Sequence, residues 1–353
     1  MLKCDLLIDS KDIKSTISKL KNEKDYTILL DITVIDYLKF PDITPSRFAV
    51  VYILRDSSFK NQISIKTFVD DNTLEIDSLC FLYSAANWAE REAYDQYGIR
   101  FNGHPNLKRV LNHHQFVGHP LRKDYEITKG QICTHTEDLM DEMNPLLKQK
   151  GYTSEDINDL MLLNVGPSHP ASHGTIRNFV AMEGETITAC VTEIGYLHRG
   201  FEKACENHTY SQIIPYTDRL NYCSAILNNI GYSKAVEEML NIDITARAKM
   251  IRIIIGELSR IIDHLVCNAA NMVDLGGLTN FWYLFAPRDM AYDLLSKLTG
   301  ARLTNTYTRI GGLEFDLYEG FDKDLANVLK ETEIAIDDAL SLIAHNKIFL
   351  DRT

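Results

Sequence analysis

The sequence predicts an α+β fold in two parts. Segments rich in Val, Ile, Tyr and Phe fall within the first 130 residues, where polar links separate them, as expected for strands of a sheet. Beyond Gly195, apolar residues recur at the three- and four-residue spacing of helices that bury one face. We therefore predict an α/β first domain over residues 1–128, a linker over 129–159, and a second domain over 160–353. The second domain should begin with a small β-rich part and continue as a mainly α-helical bundle.

The first domain contains three predicted strands and one predicted helix. The strands are Tyr26–Leu38, Arg47–Arg55 and Gln62–Val69. The polar residues 56–61 are typical of a hairpin link between the last two strands. The helix is predicted over 78–97 and ends at Gly98, because apolar residues recur there at helical spacing: Leu79, Leu82, Ala86, Ala89, Ala93 and Tyr97.

The linker and the second domain are predicted from turn-forming residues and periodicity. Gly130, Asn144, Pro145 and Gly151 interrupt the polar segment and favour loops. Weak alternation over 179–193, with Gly184 in the middle, predicts a hairpin. A long helix is predicted over 245–272, with Asp243 near its start and one apolar stripe: Ile251, Ile254, Ile255, Leu258, Ile261, Ile262 and Leu265.

The composition restricts the class of protein. No apolar run reaches the roughly 18 residues that a membrane-spanning helix needs, and the N-terminal residues lack the apolar region of a secretory signal. A net charge of −12 argues against nucleic acid as the main partner. The seven cysteines include no CxxC pair, so they indicate free thiols and offer no ligand set for an iron–sulfur cluster. No glycine-rich dinucleotide fingerprint is present.

A charged segment marks the end of the first domain. The string EREAYDQYGIRFNGHPNLKRVL occupies 90–111, and GHPLRKDY occupies 118–125. On residue types alone, Glu90, Arg91, Glu92 and Asp95 suit a solvated helix face. In its order and spacing, however, the segment resembles the C subunit of respiratory complex I, and the resemblance covers residues 1 to about 130. It implies a docking role for this domain, without chemistry of its own.

Four histidines in the same region raise the question of a metal site. They are His104, His113, His114 and His119. Zinc favours Cys and His ligands in a tetrahedral arrangement, but no Cys lies between these residues and their spacings fit no finger pattern. We predict loop and interface hydrogen bonds for them, and no metal site in the chain.

The second domain carries three motifs that mix His, Arg, Tyr and Asp with Gly and Pro. They are NVGPSHPASHG at 164–174, GYLHRGFEK at 195–203 and PYTDRLNY at 215–222. Pro170 and Gly174 argue against a continuous helix, so a loop should present His169 and His173. Taken singly, each histidine also fits a structural role. As a group, the motifs resemble the D subunit of complex I, which forms the quinone-reduction cavity.

The resemblance assigns roles to individual residues. His173 matches the ligand of the quinone headgroup, with His169 beside it in the quinone-binding loop, and Tyr222 matches the donor across the quinone ring. Asp274, in MVDLGG, matches the carboxylate that partners the histidine. These three residues, His173, Tyr222 and Asp274, are therefore the expected catalytic group. Arg199 and Arg219 are expected as supporting cations near them, with a structural ion pair as the equal alternative for each.

As a whole, the chain resembles a fused C/D subunit of bacterial proton-translocating NADH:quinone oxidoreductase. The resemblance implies quinone as substrate, with the iron–sulfur clusters, FMN and NADH on partner subunits and none of them bound by this chain alone. The expected partners are the other peripheral-arm subunits, including the one with the terminal iron–sulfur cluster, and the membrane-arm subunits. The expected location is peripheral, on the cytoplasmic face of the inner membrane.

The D-like part resembles only the N-terminal half of the family's D subunit, so we expect no activity from the chain alone. One alternative is a non-catalytic scaffold. Another is a subunit of a membrane-bound hydrogenase-like complex, because the D-subunit fold is related to the large subunit of [NiFe] hydrogenases. That metal centre needs two CxxC pairs, whereas this chain has a lone Cys223 at the first matching position.

Overall fold

A computed structural model describes residues 4–134 and 138–353. The chain combines helices and strands, as the α+β prediction requires. It divides into two compact units, unit 1 over Met1–Lys203 and unit 2 over Ala204–Thr353. Each unit is described by itself.

Unit 1 begins with a four-stranded sheet and a covering helix. The elements are β1 (Leu6–Ile8), α1 (Ile13–Lys24), β2 (Ile28–Asp36), β3 (Phe48–Arg55) and β4 (Gln62–Phe68). The sheet order is β1-β4-β3-β2, with β1 parallel to β4 and the other pairs antiparallel. The three predicted strands are confirmed. The prediction missed β1, which at three residues is too short to show a period.

A second group of elements packs onto this core: β5 (Glu75–Asp77), α2 (Ala86–Tyr97) and β6 (Arg100–Asn102). The predicted helix over 78–97 was too long at its start. Residues 78–85 form turns instead, because the buried Glu90 accepts hydrogen bonds from the hydroxyl of Ser78 and the backbone N–H of Leu79, both at 2.6 Å. The carboxylate of Glu90 in α2 thus binds donors of residues 78 and 79 and stabilises a turn there instead of a helix.

The last part of unit 1 is a small sheet covered by a helix. Its elements are α3 (Met140–Gln149), α4 (Ser154–Asp159), β7 (Met161–Val165), β8 (Arg177–Glu183) and β9 (Thr186–Glu193). The short helix α5 (Phe201–Cys205) contains the division between the two units, which falls after Lys203. The strands are antiparallel in the order β7-β8-β9, so the predicted hairpin is confirmed as β8 and β9. The outer strand β7 exposes Met161, Leu162 and Leu163.

About half of the predicted linker forms the two helices α3 and α4, which lie in its described residues 138–159. Leu139, Met143 and Leu147 recur every four residues, are almost fully buried, and join a core with residues of β8 and β9. This apolar stripe is enough to fold a segment that is otherwise polar. The compact units divide after Lys203, whereas the predicted change of domain lies at 129–159. The predicted boundaries, which separate the two family resemblances, stay a prediction.

Unit 2 is a helical bundle with one short hairpin. Its elements are α6 (Tyr210–Asp218), α7 (Ala225–Leu240), α8 (Ala246–Asp274), α9 (Leu278–Thr299), β10 (Thr308–Arg309), β11 (Gly312–Leu313), α10 (Phe321–Ile343) and α11 (Lys347–Arg352). The long predicted helix is confirmed as α8, and its stripe faces the core. Its N-cap is Thr245, which accepts from the N–H of Ala248, whereas Asp243 lies two residues before the cap. Within the described part of the chain, every helix is too short or too polar to cross a membrane.

Candidate functional site

The loop between β7 and β8 presents the two predicted histidines. A three-residue 3-10 turn, Pro170–Ser172, lies between them, so the predicted absence of a continuous helix is confirmed. His169 precedes the turn, and its Nδ1 accepts from the N–H of Ala171 at 3.2 Å. His173 follows it in the left-handed conformation, with φ of 49°. Both imidazoles are exposed. The loop therefore holds its own shape and leaves both rings at the surface of unit 1.

We call residues 166–176, between β7 and β8, the histidine loop. The two ends of this loop lie very close together through their backbone atoms. Gly166 has φ of +97°, and a Cβ atom there would lie 1.8 Å from the carbonyl oxygen of Ile176. Only glycine fits this position, because any side chain would push the two ends of the loop apart. The sequence indicated a turn here but not the close approach.

Arg177, directly after the loop, joins all three strands of the small sheet. Its Nε donates to Oδ1 of Asn164 on β7 at 2.9 Å, and its Nη1 donates to Oε2 of Glu193 on β9 at 3.0 Å. Tyr196 donates its hydroxyl to the same glutamate oxygen at 2.7 Å. Burial, followed by the contact with Glu193, raises the pKa of Tyr196 to about 12, so the phenol remains a donor at neutral pH.

Sequence reasoning missed this group, which we call the arginine clasp (Asn164, Arg177, Glu193 and Tyr196). The available signal was a single Arg at the start of a half-apolar strand, between the histidine motif and the predicted hairpin. The residues of the clasp line a cavity of about 530 Å³. The other residues that line this cavity are Leu111, Asn112, His113, Gly166, Pro167, Ile194 and Gly195.

The charged signature of the first domain is mostly structural and buried. Asp95 is fully buried and accepts from Nη1 of Arg109 at 2.6 Å. It also accepts from three successive backbone N–H groups, those of Val110, Leu111 and Asn112, at 2.8 to 3.2 Å. One carboxylate thus orders the following loop. The prediction of a solvated helix face is wrong for Glu90, Arg91 and Asp95, which are buried, whereas Glu92 is exposed as that prediction requires.

The histidines of this region make hydrogen bonds, in line with the prediction for their role. His104 uses both ring nitrogens: Nδ1 accepts from the N–H of Asn106 at 3.0 Å, so Nε2 carries the proton and donates to the carbonyl of Asn87 at 2.9 Å. His119 contacts the carbonyl of Asp95 through Nδ1 at 3.0 Å. Burial lowers the pKa of both imidazoles, which favours their neutral forms.

One cluster has the residue types of a metal site: ligand atoms of Cys80, Glu90 and His104 lie within 4.8 Å of one another. Both nitrogens of His104 are engaged, and both oxygens of Glu90 accept short hydrogen bonds. Burial also raises the pKa of the Cys80 thiol to about 11, which disfavours the thiolate that a metal needs. The donors therefore fit a hydrogen-bonded core better than a metal centre. The absence of a metal site stays a prediction.

In unit 2, Tyr222 begins a 3-10 turn before α7, and its side chain is about half exposed. The same turn contacts α8, because Asn221 and Ser224 donate to Oδ2 of Asp263 at 3.3 and 3.4 Å. Asp274 is the last residue of α8. It follows Asp263 by eleven residues, about 16 Å along the helix axis. The turn that contains Tyr222 therefore contacts α8 about three helical turns before Asp274.

The other residue with a predicted role in unit 2 is Arg219. It follows α6, and its Nη1 donates to the carbonyl of Pro215 at 2.6 Å.

Cys223 is half-buried, and burial together with the charge of Asp263 raises the pKa of its thiol. This is the environment of an inert thiol rather than of a metal ligand.

The predicted catalytic residues are distributed over both units. His169, His173 and Arg199 belong to unit 1, whereas Arg219, Tyr222 and Asp274 belong to unit 2. The structure brings the two histidines together on one loop. Their predicted pairing with Tyr222 and Asp274 stays a prediction.

Comparison with known proteins identifies the two parts of the chain. Residues 6–131 match the family described as the 30 Kd subunit of respiratory-chain NADH dehydrogenase, and residues 274–353 match the 49 Kd subunit family. Two kinds of complex I subunit are therefore joined in one polypeptide.

Three similar proteins are each named as the C/D subunit of an NADH-quinone oxidoreductase. The protein of Bdellovibrio bacteriovorus is 45% identical over 98% of this chain and 60% of its own length. That of Chromohalobacter salexigens is 37% identical over 88% and 54%, and that of Acinetobacter baumannii strain AYE is 35% identical over 94% and 58%. The chain belongs to this family of fused C/D subunits. It spans about 60% of the length of the curated relatives it matches.

Proposed function

We propose that the chain forms part of the quinone-binding and quinone-reduction cavity of a proton-translocating NADH:quinone oxidoreductase. The observation that supports this proposal best is the histidine loop, which holds two exposed imidazoles on a closed, hydrogen-bonded base. A loop of this kind offers a preformed surface for a ligand at little ordering cost. The family membership supplies the class of reaction.

The chemistry requires two proton donors at opposite ends of one ring. Reduction of a quinone to a quinol adds two electrons and two protons, one proton at each carbonyl oxygen. In the proposal, His173 donates at one oxygen and Tyr222 at the other. In the proposal, Asp274 partners the imidazole of His173, and Arg199 and Arg219 supply nearby positive charge. His169 completes the quinone-binding loop.

The electrons come from a partner subunit. Iron–sulfur clusters, FMN and the NADH site reside on the other peripheral-arm subunits in this proposal, and the chain alone is inactive. The first domain docks that arm, and the helical part shares its fold with the large subunit of [NiFe] hydrogenases. The complex attaches to the cytoplasmic face of the bacterial inner membrane through its membrane-arm subunits.

Two variants in the assembled complex test the catalytic part of the proposal. Tyr222→Phe removes one donor and keeps the ring, and His173→Ala removes the other. Each should lower quinone reduction, by roughly 10²–10⁴-fold if no water replaces the lost donor. NADH oxidation with ferricyanide should persist, because that electron path ends upstream.

Matched controls separate this effect from a general loss of structure. Tyr283→Phe and His345→Ala change the same residue types at accessible positions of unit 2 that have no proposed role. They should reduce quinone at the wild-type rate, and native gels should show normal assembly for all four variants. Wild-type rate and KM for quinone in assembled Tyr222→Phe and His173→Ala would show that the site is assigned to the wrong residues.

A further inference from the structure

We propose that Arg177 is a positioning residue for quinone reduction, which it serves by fixing the two ends of the histidine loop. The inference rests on the proposed function, because it assigns a task to residues around the same loop. Arg177 lies at the base of the loop and does not reach the reacting atoms in this role. It acts through the placement of His173.

The position of Arg177 suits this task. It is the first residue of β8, immediately after the loop, and it stands directly opposite Glu193 of β9 in the sheet register. Asn164 lies on β7, just before the loop begins. The hydrogen bonds that Arg177 donates to Asn164 and Glu193 therefore connect the strand before the loop, the strand after it and the third strand. Because these bonds fix β7 and β8 relative to each other, they also fix the distance that the eleven loop residues between the two strands must span.

Arginine is the residue type that this geometry needs. Its guanidinium is planar and directs Nε and Nη1 toward different acceptors at fixed angles. The side chain of Arg177 is 11% exposed and that of Glu193 is 23% exposed, so water competes little for the charge-assisted bond between them. A lysine would keep the charge beside Glu193, but its single nitrogen has no rigid fork with which to hold both Asn164 and Glu193.

The clasp is supported from the side of the first domain. Gly195 lies so close to residue 111 that a Cβ atom on it would stand 2.4 Å from the carbonyl oxygen of Leu111. The N–H of Leu111 is in turn bound by the buried carboxylate of Asp95 at 2.9 Å. Next to Gly195, Tyr196 donates to Glu193. A continuous set of close contacts thus leads from Asp95, in the charged signature of the first domain, to the base of the histidine loop.

This arrangement predicts a specific kinetic effect. If the ends of the loop shift, His173 no longer meets the quinone carbonyl at the right place, and misplacement of about 1 Å costs up to roughly 10²-fold in rate. A residue that only stabilises the fold would instead lower the amount of assembled complex and leave the KM of each assembled complex unchanged. The KM for quinone therefore distinguishes a positioning role from a purely structural one.

The experiment uses the full complex and a short-chain ubiquinone as the probe. Arg177→Met should raise the KM for the quinone and lower kcat/KM by roughly 10- to 100-fold per assembled complex, while ferricyanide reduction stays normal. Arg177→Lys should lie between wild type and Arg177→Met. Asn164→Ala added to Arg177→Met should cause little further loss, because both changes break the same bond. Arg55→Met is the matched control, since Arg55 lies at the end of β3 in the four-stranded sheet, where its guanidinium donates to the turn carbonyl of Phe59.

Comparison with His173→Ala in the same series separates the possible failures. If His173→Ala impairs quinone reduction while assembled Arg177→Met keeps the wild-type KM and kcat, the positioning role is wrong and the proposed function stands. If His173→Ala also leaves quinone reduction unchanged, the proposed site and the inference both fail. Reduced assembly of Arg177→Met with an unchanged KM overturns the inference as well, and Arg177→Lys supplies an assembled variant for the same measurement.

Discussion

Asp95 offers the sharpest test of how the first domain is held together. Its fully buried carboxylate neutralises Arg109 and accepts from the backbone N–H groups of Val110, Leu111 and Asn112. In Asp95→Asn, the charge disappears, and the new amide hydrogens face other donors. Removing one partner of a buried ion pair costs about 3–5 kcal/mol. Because the side chain of Arg109 is 16% exposed and water can reach it, we expect the lower end, about 3 kcal/mol.

The two tryptophans make this loss measurable. Trp88 lies on α2 in unit 1 and Trp282 on α9 in unit 2, so Trp282→Phe leaves a fluorescence signal from unit 1 alone. Urea unfolding in that background should show a free energy of unfolding about 3 kcal/mol lower for Asp95→Asn. Glu185→Gln makes the same carboxylate-to-amide change in the exposed β8–β9 turn and should stay within about 0.5 kcal/mol. A loss below about 0.5 kcal/mol for Asp95→Asn would refute the assignment of Asp95 as the organising carboxylate.

Three further predictions concern a buried ion pair, the loop base and a thiol. Arg252 lowers the pKa of Glu237, so this pair stabilises the fold above the ordinary glutamate pKa, and the stability is lost as the pH falls through the lowered value. Thermal melts should show acid destabilisation that is weaker in Glu237→Gln, and an equal pH slope would contradict this. Gly166→Ala should force the loop away from Ile176 and reduce quinone turnover without loss of ferricyanide reduction; normal turnover would show that the close approach is dispensable. Cys223 should react with iodoacetamide at pH 7 more slowly than the three exposed cysteines, as followed by mass spectrometry, because its thiol pKa is raised; equal rates would argue against this.

Periodicity predicted the helices and strands whose apolar side chains all face the same core. The stripe of α8 and the alternation of β8 and β9 appear in the sequence because each apolar side chain meets the same core. Residues 78–85 follow the same helical spacing, yet they form turns, because Glu90 from α2 captures the local donors. Such a capture depends on a tertiary contact that sequence spacing does not encode.

In the candidate site, too, some residues could be predicted from the sequence and others could not. His169 and His173 stand out in the sequence because Gly and Pro surround them, and the loop is where they were expected. Arg177 and Glu193 did not stand out, since a charged residue at a strand end is ordinary in a sequence. Their importance arises from the register, which sets them opposite each other across the sheet. Pairing of distant residues is the information that a single sequence lacks.

The outer strand β7 has a practical consequence for work with the isolated chain. Met161, Leu162 and Leu163 are 48%, 37% and 39% exposed, so apolar side chains emerge on both faces of an outer strand. Such strands are templates for pairing with another copy. Concentrated samples should therefore form reversible oligomers, and light scattering should find fewer of them for Leu162→Lys, because natural sheets use edge lysines to prevent this pairing. The same strand leads directly into the histidine loop, so self-association in a test tube would mask the very surface that a binding assay is meant to sample.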